Sequence, residues 1–432
     1  MANFVTAAEA AKLIKSYDKV YVQGSTSVPE VLIDAMVARA DELRGVEVYS
    51  AFAIGTRDIP YGTPEMKESF IPQSFFVANN YRNAIASGYG SITPCFLGEV
   101  PALVREGYVK YDVALLNCSE PDERGYCSFG ISADLAVSAA ETAKIIIAQI
   151  NPRIPYTYGD ALVHIDRIDA AVRVDCEPVA LPTVEPNEEE WKIGGYIAEQ
   201  IPDGATLQIG VGGIPNAVLA ALTNHKNLGL HTEALTDGVV PLINSGVINN
   251  SQKVIEPGKT VCCLSLGSRR LYDYMDYNKE LLVKDVAWTN DPFRIRQNPK
   301  AMAINSAIEV DLTGQVCADS IGTRIFSGVG GQHDFMYGAA LSEGGKTFIA
   351  MNSITPKGVS KIKPVLTEGA GVVTTRFQTQ FVVTEYGAAF LKGKNLAERA
   401  KALINIAHPS VREELERAAC ERFGYSFLRL KA

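Results

Sequence analysis

The chain has 432 residues, 47% of them hydrophobic and 21% charged, with a net charge of −8 at pH 7. That length exceeds what one hydrophobic core serves, so two or more domains are expected. The acidic balance argues against nucleic acid or an anionic membrane surface as the main partner, because both reward clustered Lys and Arg, but it leaves anionic small ligands open. No apolar run approaches the ~18 residues that mark a membrane helix. The start, Met1 to Glu9, lacks a basic segment followed by an apolar one and so does not read as a signal peptide; Thr6-Ala-Ala-Glu9 fits a helix capping box instead. Eight cysteines are scattered without a CxxC pair, as for reduced thiols in a cytoplasmic protein. The five histidines show no ligand spacing, so no metal site is expected.

In chain order, Lys19–Gln23 reads as a strand, Pro29–Leu43 as a helix and Val46–Phe52 as a strand. Tyr111–Asn117 and Ile145–Gln149 are apolar runs of the kind buried parallel strands make, with a helical stretch, Ala133–Thr142, between them. This alternation predicts an α/β fold of βαβ units with mainly parallel sheets. Glu177–Glu190 carries Pro178, Pro182 and Pro186 with a cluster of acids, which predicts a boundary: one domain over 1–185 and a second over 186–432.

The halves repeat a pattern. Gly24, Val28 and Pro29 match Gly210, Ile214 and Pro215, and Gly45–Ala51 parallels Asn227–Glu233, so two similar open α/β domains are expected. The turn Gln208-Ile209-Gly210-Val211-Gly212-Gly213, leading into a helix near Pro215, suits close approach of a phosphate-bearing ligand, or is simply a tight strand-to-helix turn. Pro215 stands where the dinucleotide fingerprint needs a third small residue, which weakens an NAD reading. Leu228–Glu233 reads as a short strand whose end sits at the carboxyl edge of the sheet, where open α/β sheets bind ligands. Glu233 is then a nucleophile, a ribose ligand or a surface acid. Ala51 takes its place in the first half.

A second glycine turn, Ser327–Phe335, follows the strand-like Thr323–Phe326; its amides suit an oxyanion. His333 beside it reads as a structural hydrogen-bonder more readily than as a base. Lys346, opening the strand Thr347–Ala350, could pair with a phosphate or be a solvated turn residue. Asn305 interrupts an apolar run and could hold a substrate carbonyl or a backbone group. Glu368, Glu385 and Tyr386 could border a site or pack between domains. No GxSxG elbow and no Walker A motif occurs.

Taken together, Gln208–Pro215, His231–Gly238, Ala303–Gln315, Gly328–Phe335, Thr384–Lys394, Glu398–Ala400 and Ile406–Pro409 resemble, in one order along the chain, the acetyl-CoA hydrolase/transferase family, and within it the 4-hydroxybutyrate and butyryl-CoA:acetate CoA-transferases. The resemblance implies two similar open α/β domains with the active site at their interface. It implies Glu233 as the catalytic glutamate, a glycine among Gly328, Gly330 and Gly331 as oxyanion donor, and Gln208 to Gly212 and, more loosely, Lys346 as CoA contacts; Gly213 and Asn305 join them as cofactor-binding candidates. It implies acyl-CoA and short-chain carboxylates as substrates, no permanently bound cofactor, and a homodimer or larger homo-oligomer.

The implied chemistry is covalent and ping-pong. Glu233 would attack the acyl-CoA carbonyl and become a glutamyl-CoA thioester, with no metal or general base because the acids are ionised at pH 7. A hydrolase using the same glutamate differs only in water access. An NAD-dependent dehydrogenase and a non-enzymatic ligand sensor are the remaining alternatives.

Overall fold

The computed structural model describes residues 3–430 except Arg57. Its first sheet has seven parallel strands in the order Ala170–Arg173, Ile145–Ile150, Val113–Cys118, Lys19–Val22, Val46–Ala51, Phe70–Phe76, Ser91–Ile92. Val113–Cys118 is buried along its whole length, as its unbroken apolar run requires of a strand covered on both faces. The second sheet runs Gly229–Leu230, Thr206–Ile209, Ala301–Ser306, Lys346–Ala350, Phe381–Thr384 in parallel, with Gly387–Phe390 antiparallel at its edge.

The repeat read in the sequence has a counterpart in topology. Lys19–Val22 pairs on one side with the next strand in the chain and on the other with a strand reached by a long crossover, and Thr206–Ile209 does the same. Each is followed by a helix, Glu30–Val37 in one half and Gly213–Ala221 in the other. The fold is therefore mixed α/β with mainly parallel sheets.

Three local readings shift. The helix read over 29–43 closes at Val37 and is followed by turns that reach Gly45, at φ 62. Leu228–Glu233 is strand only over Gly229–Leu230, so Glu233 stands on a bend ahead of the strand Ala234–Thr236. Thr323–Phe326 contributes only Arg324–Ile325, paired antiparallel with Ser320–Ile321 rather than within the large sheet.

Residues 174–187 carry no regular structure. They are stitched to the second half: the Leu181 N–H donates to the Gly267 carbonyl, the Tyr272 hydroxyl to the Val179 carbonyl, and the Asn216 amide to the Val184 carbonyl. Tyr158–Gly159, from the first half, pairs with Leu282–Val283 in a small sheet of the second. One apolar core runs through both, from Tyr21 and Leu116 to Leu207 and Phe348. Among the described residues no helix is long and apolar enough to cross a membrane.

Candidate active site

A cleft of about 400 Å³ opens at the carboxyl edge of the second sheet. One wall is the turn Gly210–Pro215 and another is the turn Ser327–Gln332. Asn305 and Ser306 close the end of their strand, and Phe76 reaches in from the first half. Glu233 projects into this space.

The position of Glu233 is fixed from several sides. Its carbonyl accepts the N–H groups of Cys263 and Leu264, both at 3.1 Å, and the Cys263 thiol at 3.4 Å. The preceding Thr232 hydroxyl donates to the Ile209 carbonyl at 3.1 Å and accepts the Ile209 N–H at 3.3 Å, locking the bend to the glycine turn. At the carboxyl end, Asn290 Nδ2 donates to Glu233 Oε2 at 2.7 Å. The same nitrogen lies 3.3 Å from Asp334 Oδ2, which also accepts the Gly98 N–H at 3.2 Å. The Gly331 amide adds a smaller pull on the Glu233 carboxylate. Gly331 must lack a side chain: a Cβ there would come within 2.0 Å of Glu233 Oε2 and 2.4 Å of Asn290 Nδ2.

Burial dominates the electrostatics. It pushes the Glu233 carboxyl up to about 7, helped by the charge of Asp134; the bonds from Asn290 and Gly331 pull the other way. Burial pushes Asp334 up to about 7 as well, with the Glu233 charge adding to it and the Gly98 N–H opposing it. Asp134, fully buried, is lifted to about 6. Glu233 and Asp334 share the Asn290 amide and titrate as a coupled pair near neutrality. Against the expectation that the acids are simply ionised at pH 7, burial lifts the Glu233 carboxyl toward neutrality.

The other sequence candidates separate cleanly. Gly210, Val211, Gly212, Gly213, Asn305, Gly328, Gly330 and Gly331 all line the cleft. Gln208 and Ile209 lie behind it: Gln208 is buried and accepts the Asn305 Nδ2 at 3.0 Å, bracing the residue that does face the space. Lys346 is not brought to the cleft. It opens its parallel strand, at the edge opposite the site, and its ammonium donates to the Gln200 carbonyl at 2.7 Å. His333 stacks on Phe96 at 4.1 Å, outside the cleft lining. Glu385 is engaged by Ser353, and Tyr386 packs edge-on against His408; neither they nor Glu368 lines the cleft.

Sequence reasoning missed Asn290, Asp334, Phe76 and Glu190. The Glu190 carboxylate lies where a Cβ on Gly213 would be, 2.2 Å from the closest oxygen, and so already faces the amino end of the helix Gly213–Ala221. The free amides expected there for an anion have an acid beside them.

Family models match both halves of the chain. The acetyl-CoA hydrolase/transferase N-terminal domain matches residues 1–183 and the C-terminal domain of the same family matches residues 267–419. The chain belongs to the acetyl-CoA hydrolase/transferase family. It is 44% identical to a 4-hydroxybutyrate coenzyme A transferase of Clostridium kluyveri over 98% of each chain. It is 45% identical to a succinyl-CoA:acetate/propanoyl-CoA:succinate CoA transferase of Fasciola hepatica, over 96% of this chain and 87% of that one. The crystal structure of RipA from Yersinia pestis superposes with a TM-score of 0.92 at 32% identity, covering 98% of both chains.

Proposed function

We propose that this protein is a CoA-transferase that passes CoA from a short-chain acyl-CoA to a carboxylic acid through a covalent thioester on Glu233. One observation carries the reading: a carboxyl group in a cleft, held at one oxygen by Asn290 Nδ2 at 2.7 Å and pressed against a glycine with no room for a Cβ.

In the first step a Glu233 oxygen attacks the thioester carbonyl, and CoA leaves as a thiolate. The product is an acyl–glutamyl anhydride. The thiolate then attacks the glutamyl carbonyl, the first carboxylate leaves, and the enzyme carries glutamyl-CoA. During that attack negative charge collects on the former carboxylate oxygen. The Asn290 amide, already donating to Oε2, meets it there without rearrangement, beside the Gly331 backbone packed against the same oxygen. An acceptor carboxylate then attacks the glutamyl thioester and CoA thiolate leaves; that thiolate attacks the acyl carbonyl of the new anhydride, releasing the new acyl-CoA and free Glu233.

The raised pKa of Glu233 makes it a more basic, more reactive carboxylate once ionised. The turn Gly210–Gly213 and Asn305 are the proposed CoA contacts. Binding of the remote nucleotide offsets the strain at the reacting end. Water must be kept from the anhydride and the thioester, or the same glutamate yields a hydrolase. Free cysteines, several of them buried, suit a reducing cytoplasm.

Glu233→Ala tests the reading: transfer should fall by about 1000-fold or more while acyl-CoA still binds. Steady-state kinetics should give parallel ping-pong lines for the wild type. A variant that transfers CoA near the wild-type rate removes Glu233 from the mechanism.

A further inference from the structure

The Asn290 amide and the Gly330–Gly331 peptide that flank the Glu233 carboxyl belong to the second half of the chain, yet each is held from behind by the first half. The holding segment is Phe96-Leu97-Gly98, which opens the single 3-10 turn Leu97–Glu99. The Leu97 N–H donates to the Gly330 carbonyl at 3.0 Å. The Gly330 carbonyl and the Gly331 N–H are opposite ends of one planar peptide unit. Gripping the oxygen therefore sets the plane of the peptide that leads into Gly331, whose Cβ position lies 2.0 Å from Glu233 Oε2.

The next amide acts on the Asn290 donor. The Gly98 N–H donates to Asp334 Oδ2 at 3.2 Å, and that oxygen takes Asn290 Nδ2 at 3.3 Å. The acceptor fixes which end of the Asn290 amide turns inward, since only its NH2 can donate to two carboxylate oxygens. There is little slack. A Cβ on Gly98 would lie 3.1 Å from both Asn290 Cβ and Asp334 Oδ2. Phe96 stacks on His333, adjacent to Asp334, at an interplanar angle of 12°.

We infer that the Leu97 and Gly98 amides, the latter through Asp334, are the positioning groups for the Gly330–Gly331 peptide and the Asn290 donor at Glu233, so that this pair is set against the carboxyl only when the two halves are docked. This rests on the reading of Glu233 as the nucleophile. Leu97, Gly98 and Asp334 touch no reacting atom; they act through the Gly330–Gly331 peptide and the Asn290 amide.

Leu97→Pro in the full chain deletes one N–H with little change to the backbone path, along with the buried side chain. Leu97 is the first residue of its turn, where Pro fits, and Phe96 already sits at φ −74 and ψ 144, the region a following Pro demands. Leu97→Ala is the reference, because it loses the same buried side chain but keeps the N–H. Relative to Leu97→Ala, Leu97→Pro should lower kcat by about tenfold or more with KM for acyl-CoA within about twofold, since misaiming a donor costs part of what deleting one does. Equal kcat values for the two overturn the relay. Should Leu97→Pro not fold, Asp334→Ala decides: about a tenfold lower kcat with KM held supports the relay, and an unchanged kcat overturns it. The glutamyl-CoA adduct of the wild type, read by mass after acyl-CoA alone, separates the two levels. Its absence removes the nucleophile reading; its presence with matched Leu97 variants removes only the relay.

Discussion

At the scale of single residues, Glu233 is legible because a carboxylate closes a strand–turn–helix–strand pattern at the edge where ligands bind. Asn290 and Asp334 are not legible, because nothing local marks them: Asn290 is 57 residues from its partner Glu233 and is brought there only by folding. The environment of Glu233 has consequences for pH. Its folded value of about 7 lies above the ordinary 4.5, so the native state holds a proton that the unfolded chain has released. Stability from this site is thus present at low pH and lost as pH rises from about 4.5 through about 7. Glu233→Gln should melt higher than the wild type near pH 8, with the difference shrinking to nothing as pH falls toward about 4.5. Catalysis runs the opposite way, since the attacking form is the anion: kcat/KM should rise with pH through a midpoint near 7, set by the Glu233–Asp334 pair. Gly331 offers a sharper steric test. Its φ of −93 suits any residue, so Gly331→Ala introduces no backbone strain, only a Cβ 2.0 Å from Glu233 Oε2. Assayed for transfer, this variant should lose about 100-fold or more in kcat, the scale of a lost oxyanion donor.

At the scale of elements, the two glycine turns were readable from composition and both border the cleft, whereas Lys346 was not correctly placed by the same reading. The reason is geometric. A residue that opens a parallel strand lies at the edge away from the ligand, and Lys346 opens its strand. The strand read at Thr323–Phe326 is present over Arg324–Ile325, but it pairs antiparallel with Ser320–Ile321 and stands outside the large sheet, because composition marks a strand without naming its partner. Within the first turn, Gly212 holds φ 124, a conformation that side chains resist, and a Cβ there would meet nothing within 4 Å. Gly212→Ala therefore acts through the backbone rather than through a clash. It should destabilise by ~1–3 kcal/mol in thermal melts and raise KM for acyl-CoA, because relaxing the strain re-aims the wall of the cleft.

At the scale of the whole molecule, the repeat visible as Gly24/Pro29 against Gly210/Pro215 survives as matching strand order around Lys19–Val22 and Thr206–Ile209. What the pattern could not convey is how the halves share a core. The strand Tyr158–Gly159 pairs across to Leu282–Val283, and apolar side chains of both sheets join one cluster. A fragment of residues 1–185 alone would expose that surface, so it should lack a cooperative melt, while the full chain unfolds in one transition; calorimetry on both checks this. The same docking brings Leu97 and Gly98 to the groups that flank Glu233. Mass spectrometry of the whole protein, followed by peptide mapping, probes the central claim most directly. After incubation with acyl-CoA and no acceptor acid, the wild type should gain the mass of CoA on the peptide containing Glu233, and Glu233→Ala should gain nothing. CoA or acyl label on a cysteine or serine, or an unmodified protein that nonetheless transfers CoA, would contradict it.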